Sequence, residues 1–224
     1  MPPLREHYLH ELAELERELI ALGRMADEAI RRALWALKQG ALEEARAIVR
    51  RDEGIDDATD ALIQHAIQII ATQGPVAGDL RLVSSFMQAA GELERIGDYA
   101  KGIATVTLRL GGPPPGGVPE TIEHMAAITR RMLNEALEAL AARDPMINLR
   151  LKQEDEAADI AYAQLFDAQI ERMERDPAMV RPGTFLLWIG HNLERIGDRA
   201  TNIGEYVEYI VRGVKSSQQG TSWG

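Results

Sequence analysis

The chain has 224 residues, no cysteine, a formal net charge of −10, 46% hydrophobic residues and only 5% aromatic ones. That length allows one large domain or two small ones, and the lack of cysteine excludes disulfides and thiolate metal sites. The acidic balance lacks the basic footprint that nucleic acid needs, and no apolar run approaches the ~18 residues of a membrane span.

Ala, Leu, Ile, Arg and Glu dominate, a helix-forming set. The start, MPPLREHYLHELAE, is charged from Arg5 onward and lacks the apolar core of a signal peptide, and the absence of cysteine makes a reducing cytoplasm the expected location. Leu12, Leu15, Leu19 and Leu22 step 3-4-3 and predict a first helix over 4–38, ended by Gly40. A second is predicted over 41–72, with a seam of Val49, Asp52, Asp56, Thr59, Ile63, Ala66 and Ile70. QGPVAGD stops it with Gly74 and Pro75. The third, over 80–110, carries Leu82, Phe86, Ala89, Leu93, Ile96, Ala100 and Ile103. GGPPPGGVP at 111–119 forbids helix and reads as a linker. The pattern then returns over 120–142, 145–175 and 183–214, broken at Asp144-Pro145 and Asp176-Pro177. In the last helix Leu186, Ile189, Leu193, Ile196, Ala200, Ile203 and Val207 repeat the seam.

Helices of ~30 residues are ~45 Å long, and three joined by short turns make an antiparallel bundle. The expected fold is therefore all-α, a tandem repeat of two antiparallel three-helix bundles. The expected divisions are 1–110, a Gly/Pro linker at 111–119, a second bundle at 120–214 and a flexible tail at 215–224.

The duplication is visible in letters. ELERIGDYA begins at Glu92 and NLERIGDRA at Asn192. Glu94 and Asp98 are four apart, as are Glu194 and Asp198, so each pair shares a helix face. The preceding helix of each half carries D-E-x-x-D, giving Asp52 with Asp56 and Asp155 with Asp159. The two pairs of each half are equidistant from the predicted turn between them, so an antiparallel hairpin sets them at one height. Facing carboxylates repel and resist desolvation, and a hard cation with oxygen ligands would compensate. The candidate metal ligands are thus Asp52, Asp56, Glu94, Asp98, Asp155, Asp159, Glu194 and Asp198. Gly97 and Gly197 leave room for a metal or for a neighbouring helix. Asn202 adds an amide one turn after Asp198, where the first half has Gly102. The plainer alternative is a solvated acidic face, with Arg95, Arg195 or Lys101 as ion-pair partners.

None of His7, His10, His65, His124 and His191 has a Glu three residues before it, so the Glu-x-x-His signature of di-iron bundles is missing. His191, beside the second motif, is either a further ligand or an ordinary packed or solvated side chain. No phosphate-loop, zinc-protease or nucleophile-elbow motif occurs.

Two LERIGD motifs, each preceded by D-E-x-x-D about 40 residues earlier, resemble the PhoU family of phosphate-specific transport system accessory proteins. The likeness covers about residues 5–214, and NLERIGDRATNIGEYV at 192–207 is especially similar. The resemblance implies two similar three-helix bundles. It also implies divalent or trivalent metal ions, single or multinuclear (iron, manganese, zinc or magnesium), on the paired carboxylates. As partners it implies the ATPase of the phosphate ABC transporter and a sensor histidine kinase, reached at the membrane through those partners, with a homodimer left open. The implied function is negative regulation of phosphate uptake and of phosphate-starvation signalling, without catalysis. A carboxylate-bridged metal-cluster enzyme and a metal-free helical adaptor stand as alternatives.

Overall fold

A computed structural model of the chain describes residues 3–51 and 53–214, apart from the side chains of 3–5, 51 and 53. Seven α-helices follow in order: α1 (Pro3–Gln39), α2 (Leu42–Arg51), α3 (Glu53–Gln73), α4 (Gly78–Leu110), α5 (Glu120–Ala142), α6 (Ile147–Arg175) and α7 (Val180–Arg212). A 3-10 turn at Pro177–Met179 leads into α7, and no strand occurs among the described residues. The predicted second helix corresponds to α2 and α3; Asp52 between them lies outside the described residues, as does the expected tail at 215–224. No helix among the described residues is long and apolar enough to cross a membrane.

The helix ends have local causes. Gly111 closes α4 at φ 74° and donates its N–H to Thr107 O; Gly213 closes α7 at φ 76° in the same way, onto Tyr209 O. Arg143 closes α5 in the left-handed region at φ 56° without being glycine. Its guanidinium bonds to Leu140 O and to Glu16, so side-chain contacts hold a conformation the backbone disfavours.

Leu12, Leu15, Leu19 and Leu22 are all buried, as is every predicted seam residue of α7. In α4 the seam is buried from Phe86 to Ile103, and Leu82 only partly. The predicted seam of the second helix needs correction. The buried stripe of α3 is Ile55, Thr59, Leu62, Ala66 and Ile69, while Asp56 is exposed and Ile63 and Ile70 are only partly covered. In α6 the buried positions include Leu151, Ala158, Ala161 and Leu165, while Asp159 and Phe166 are exposed. The α3 stripe keeps Thr59 and Ala66 of the predicted seam and takes Ile55, Leu62 and Ile69 in place of Asp56, Ile63 and Ile70, a rotation of about 60°. Two overlapping 3-4 patterns compete in α3, and the observed one keeps Asp56 at the wet edge.

Helices α1–α4 and α5–α7 form two groups, and the buried residues of both groups belong to one continuous core. The α4–α7 pair makes the most extensive contact between helices. Along it Glu92 meets Arg199, the Cβ position of Gly102 lies 2.7 Å from Asn192 Oδ1, and Arg109 lies over Trp188. As residue numbers rise on α4 they fall on α7, so the helices run antiparallel, and Gly97 and Gly197 stand near one level at the crossing. Ion pairs also join the groups: Arg130 holds Asp27 at 2.7 and 2.9 Å, and Lys38 holds Glu123 at 2.5 Å. The 111–119 segment is anchored too, with Pro114 buried and Pro115 O accepting from Arg172 at 2.6 Å.

Leu93 and Leu193 are fully buried in this shared core. Leu93→Ala should cost about 2–5 kcal/mol. Because the core is continuous, chemical denaturation should shift as one transition for the whole chain. Two separable transitions, with only one displaced, would contradict the shared core.

Candidate functional site

Each half brings its two carboxylate-bearing helices together, α3 with α4 and α6 with α7. In the first half Glu94 is half-buried, and Asp56 and Asp98 are exposed at the groove rim. Burial pushes the Glu94 carboxyl above its usual range, and the charges of Asp56, Asp98 and Asp60 add to the shift; Arg95 opposes it. Asp60 is a member that the sequence reading missed. It stands one turn after Asp56, so the same four-residue spacing would have found it. Asp52 lies outside the described residues.

The second groove is deeper. The Glu194 side chain is 18% exposed and that of Asp198 31%. Asp155 is pushed up to about 6, first by burial and then by Asp198, Asp159 and Glu194. Burial and the neighbouring carboxylates both disfavour its ionised form. Arg195 supplies part of the missing charge, reaching Glu194 at 3.2 Å and Asp198 at 3.0 Å. His191 Nδ1 also stands 3.2 Å from Glu194, and its ring lies tilted against Tyr162. The structure therefore groups Asp56, Glu94 and Asp98 in one half, and Asp155, Asp159, Glu194 and Asp198 in the other.

The glycines separate into distinct roles. A Cβ at Gly97 would meet Ile55 Cδ1 at 2.9 Å, so Gly97 admits the neighbouring helix. A Cβ at Gly197 would meet Asp155 Oδ1 at 3.4 Å, an ordinary contact, so Gly197 marks where that carboxylate lies beside α7 without being required for it. Gly102 faces Asn192 rather than the groove, which explains why it does not match Asn202.

The grooves connect through the α4–α7 contact. Arg199, next to Asp198, reaches Glu92 at 3.2 Å, two residues from Glu94. Tyr206 also donates to Glu92 at 3.3 Å, and its phenol is pushed up to about 12 by burial and by Glu92. This cross-link has no trace in the periodicity of either half, since it joins residues more than a hundred apart.

The donor chemistry fits a hard cation. Oxygen ligands of like charge, partly desolvated and raised in pKa, gain most from a positive ion. The approach is not tight as it stands. Among the described residues, neither groove gathers three ligand atoms within 4.8 Å of one another.

Comparison with known proteins gives three results. The PhoU domain family matches residues 19–107 and 122–207, one copy in each half. A phosphate-specific transport system accessory protein PhoU homolog of Rhizobium meliloti (strain 1021) is 33% identical over 209 residues, covering 92% of this chain and 87% of the relative. A homolog of the same description from Synechocystis sp. (strain ATCC 27184 / PCC 6803 / Kazusa) is 32% identical over 212 residues, 94% of each chain. The crystal structure of PhoU from Pseudomonas aeruginosa superposes with a TM-score of 0.86 at 30% identity, covering 92% of this chain and 100% of that one. The phosphate transport system regulatory protein PhoU from Streptococcus pneumoniae gives 0.86 at 30% identity, covering 93% and 98%.

A pH dependence follows from Asp155. Its folded value of about 6 lies above the ordinary 3.8, so the ionised form destabilises the folded state. The penalty is full above the folded value and disappears as pH falls through it toward the unfolded one. In chelator-treated protein, Asp155→Asn should raise the melting temperature at about pH 7.5, by about 2–4 °C per kcal/mol relieved. The gain should vanish near pH 3.5. Melting curves that shift equally at both pH values would count against this account.

Proposed function

The chain belongs to the PhoU domain family, and from that premise we propose that it is a metal-binding adaptor that regulates phosphate transport. Its relatives are named as accessory proteins of the phosphate-specific transport system, which supports a role in the regulation of that transport. The finer reading is a protein of the cytoplasm that docks on the transporter's ATPase subunit and on a sensor histidine kinase, and restrains uptake and the starvation response. No catalytic role is proposed.

The observation that carries the metal reading is the repetition of the acidic groove. Both halves hold carboxylates from two helices at one height, and in both a partly buried carboxyl is raised. Asp56, Glu94 and Asp98 would hold a cation in the first groove, joined by Asp52; Asp155, Asp159, Glu194 and Asp198 would do so in the second. A bound hard cation supplies positive charge that cancels the repulsion across each groove. The chain's own part is to fix two ligand-bearing helices against each other, as Ile55 packed on Gly97 does in the first groove. Arg195 must yield Glu194 and Asp198 for the second groove to fill. That same arginine favours a second reading, an adaptor that works without metal because its charge is already partly balanced.

Elemental analysis of chelator-free protein should find metal. Glu94→Ala with Asp98→Ala should remove about half of it if the two grooves bind equally. Immobilised protein should retain the transporter ATPase, and to a different extent at high and low phosphate. Capture at neither phosphate level would refute the adaptor reading. Capture with no stoichiometric metal, and no loss in the double variant, would establish the metal-free reading instead.

A further inference from the structure

Away from both grooves, near the start of α1, the first half gathers nitrogen and oxygen donors. His10, Glu11 and Glu14 each place one ligand atom within 4.8 Å of the others. No other set of three or more such side chains among the described residues is as close. His10 and Glu14 are one helical turn apart, and His10 Nδ1 lies 3.5 Å from Glu14 Oε2. Two ligands on one tetrahedral ion, each bonded at 2.0–2.1 Å, stand about 3.4 Å apart. The pair is therefore already near the separation that a shared metal would impose. Glu11 is anchored from α3, where His65 Nε2 meets its Oε2 at 3.3 Å. The other ring nitrogen of His65 meets Glu18 at 2.9 Å.

We propose that His10, Glu11 and Glu14 form a divalent transition-metal site, distinct from the acidic grooves, with His65 as the positioning residue that orients Glu11. The donor set selects the metal class. An imidazole nitrogen beside two carboxylates suits zinc, cobalt, nickel or copper better than magnesium or calcium, which take oxygen ligands. Three protein ligands leave a further position for water, as in open zinc sites. Access is unobstructed, since the His10 side chain is 64% exposed and that of Glu14 42%. Arg17 meets Glu14 Oε1 at 3.5 Å and leaves Oε2 facing His10. His65 is 18% exposed and committed to two carboxylates, which makes it an outer partner rather than a fourth ligand. A metal here ties the first turns of α1 to α3, through Glu11 and His65.

The test uses the full chain stripped with chelator. The grooves are first disabled by Glu94→Gln, Asp98→Asn, Glu194→Gln and Asp198→Asn together, and zinc is added in a calorimeter. One equivalent should bind in this background. His10→Gln should weaken it at least about tenfold, and His65→Gln about tenfold through the loss of orientation. No zinc uptake in the background, or an affinity unchanged by His10→Gln, would overturn the site. Should the fourfold variant fail to fold, copper bound to the unsubstituted chain provides the second measurement. Its imidazole-nitrogen coupling in electron paramagnetic resonance should disappear in His10→Gln and persist in His191→Gln. A coupling that persists in His10→Gln would assign the nitrogen elsewhere and refute the proposal.

Discussion

The antiparallel packing of α4 on α7 is the contact from which the rest of the molecule follows. Each helix is the second arm of a hairpin and bears two of the groove carboxylates of its own half, Glu94 and Asp98 on α4 and Glu194 and Asp198 on α7. Packing the two arms together sets both copies of LERIGD at one level and on opposite flanks. Gly102 is where the two arms come closest, with its Cβ position 2.7 Å from Asn192 Oδ1, while Gly97 faces Ile55 on α3 and Gly204 faces Leu151 on α6. A side chain at position 102 would have to displace Asn192. With the arms in contact, Leu93, Ile96, Leu193 and Ile196 belong to a common interior, and neither half completes its core alone.

The carboxylates sit where this architecture makes them tolerable. Turned toward the core they would lose hydration with no counter-charge available. Turned fully outward they would be ordinary solvated groups. At the groove rim, partial burial raises Glu94 and Asp155 while water still reaches their neighbours. The second groove is the more covered of the two, and it is also the one that carries an internal arginine bridge across Glu194 and Asp198. The halves share a plan and differ in how their charge is balanced.

Much of this was legible in the letters. Gly40, Gly74, Pro75 and the 111–119 segment mark breaks that the chain respects, because proline and left-handed glycine act locally. The α5 limits, Glu120–Ala142, coincide with the prediction too, with Pro119 before the helix and Arg143, two residues ahead of Pro145, closing it in the left-handed region. The facing of Asp56 with Glu94, and of Asp155 with Glu194 and Asp198, came from counting outward from a turn. The rotation of α3 was not legible, since Ile55, Leu62 and Ile69 compete with Ile63 and Ile70 for the interior. Packing against α1 and α4 decided that contest. The Glu92–Arg199 link and the position of His65 beside Glu11 depend on how distant helices meet, which no periodicity encodes. The His10, Glu11 and Glu14 grouping escaped notice because the histidines were read for a Glu three residues earlier and for nearness to the repeated motif, not for a Glu one turn later.

The contact between Gly102 and Asn192 bears on how the duplication aged. A duplicated half begins as one sequence, able in principle to pair with a copy of itself. That symmetry is now lost. Two copies of the first half would set Glu92 against Gly102 and Tyr99 against Glu92, with no arginine to meet the acid. Two copies of the second half would set Asn192 against Asn202, where even a Cβ at position 102 would lie 2.7 Å from the Asn192 amide oxygen and displace it. The two repeats have become complementary parts, each shaped by the differences in the other. Neither can be exchanged for its twin, and a substitution accepted on one side of the crossing is constrained by a residue a hundred positions away.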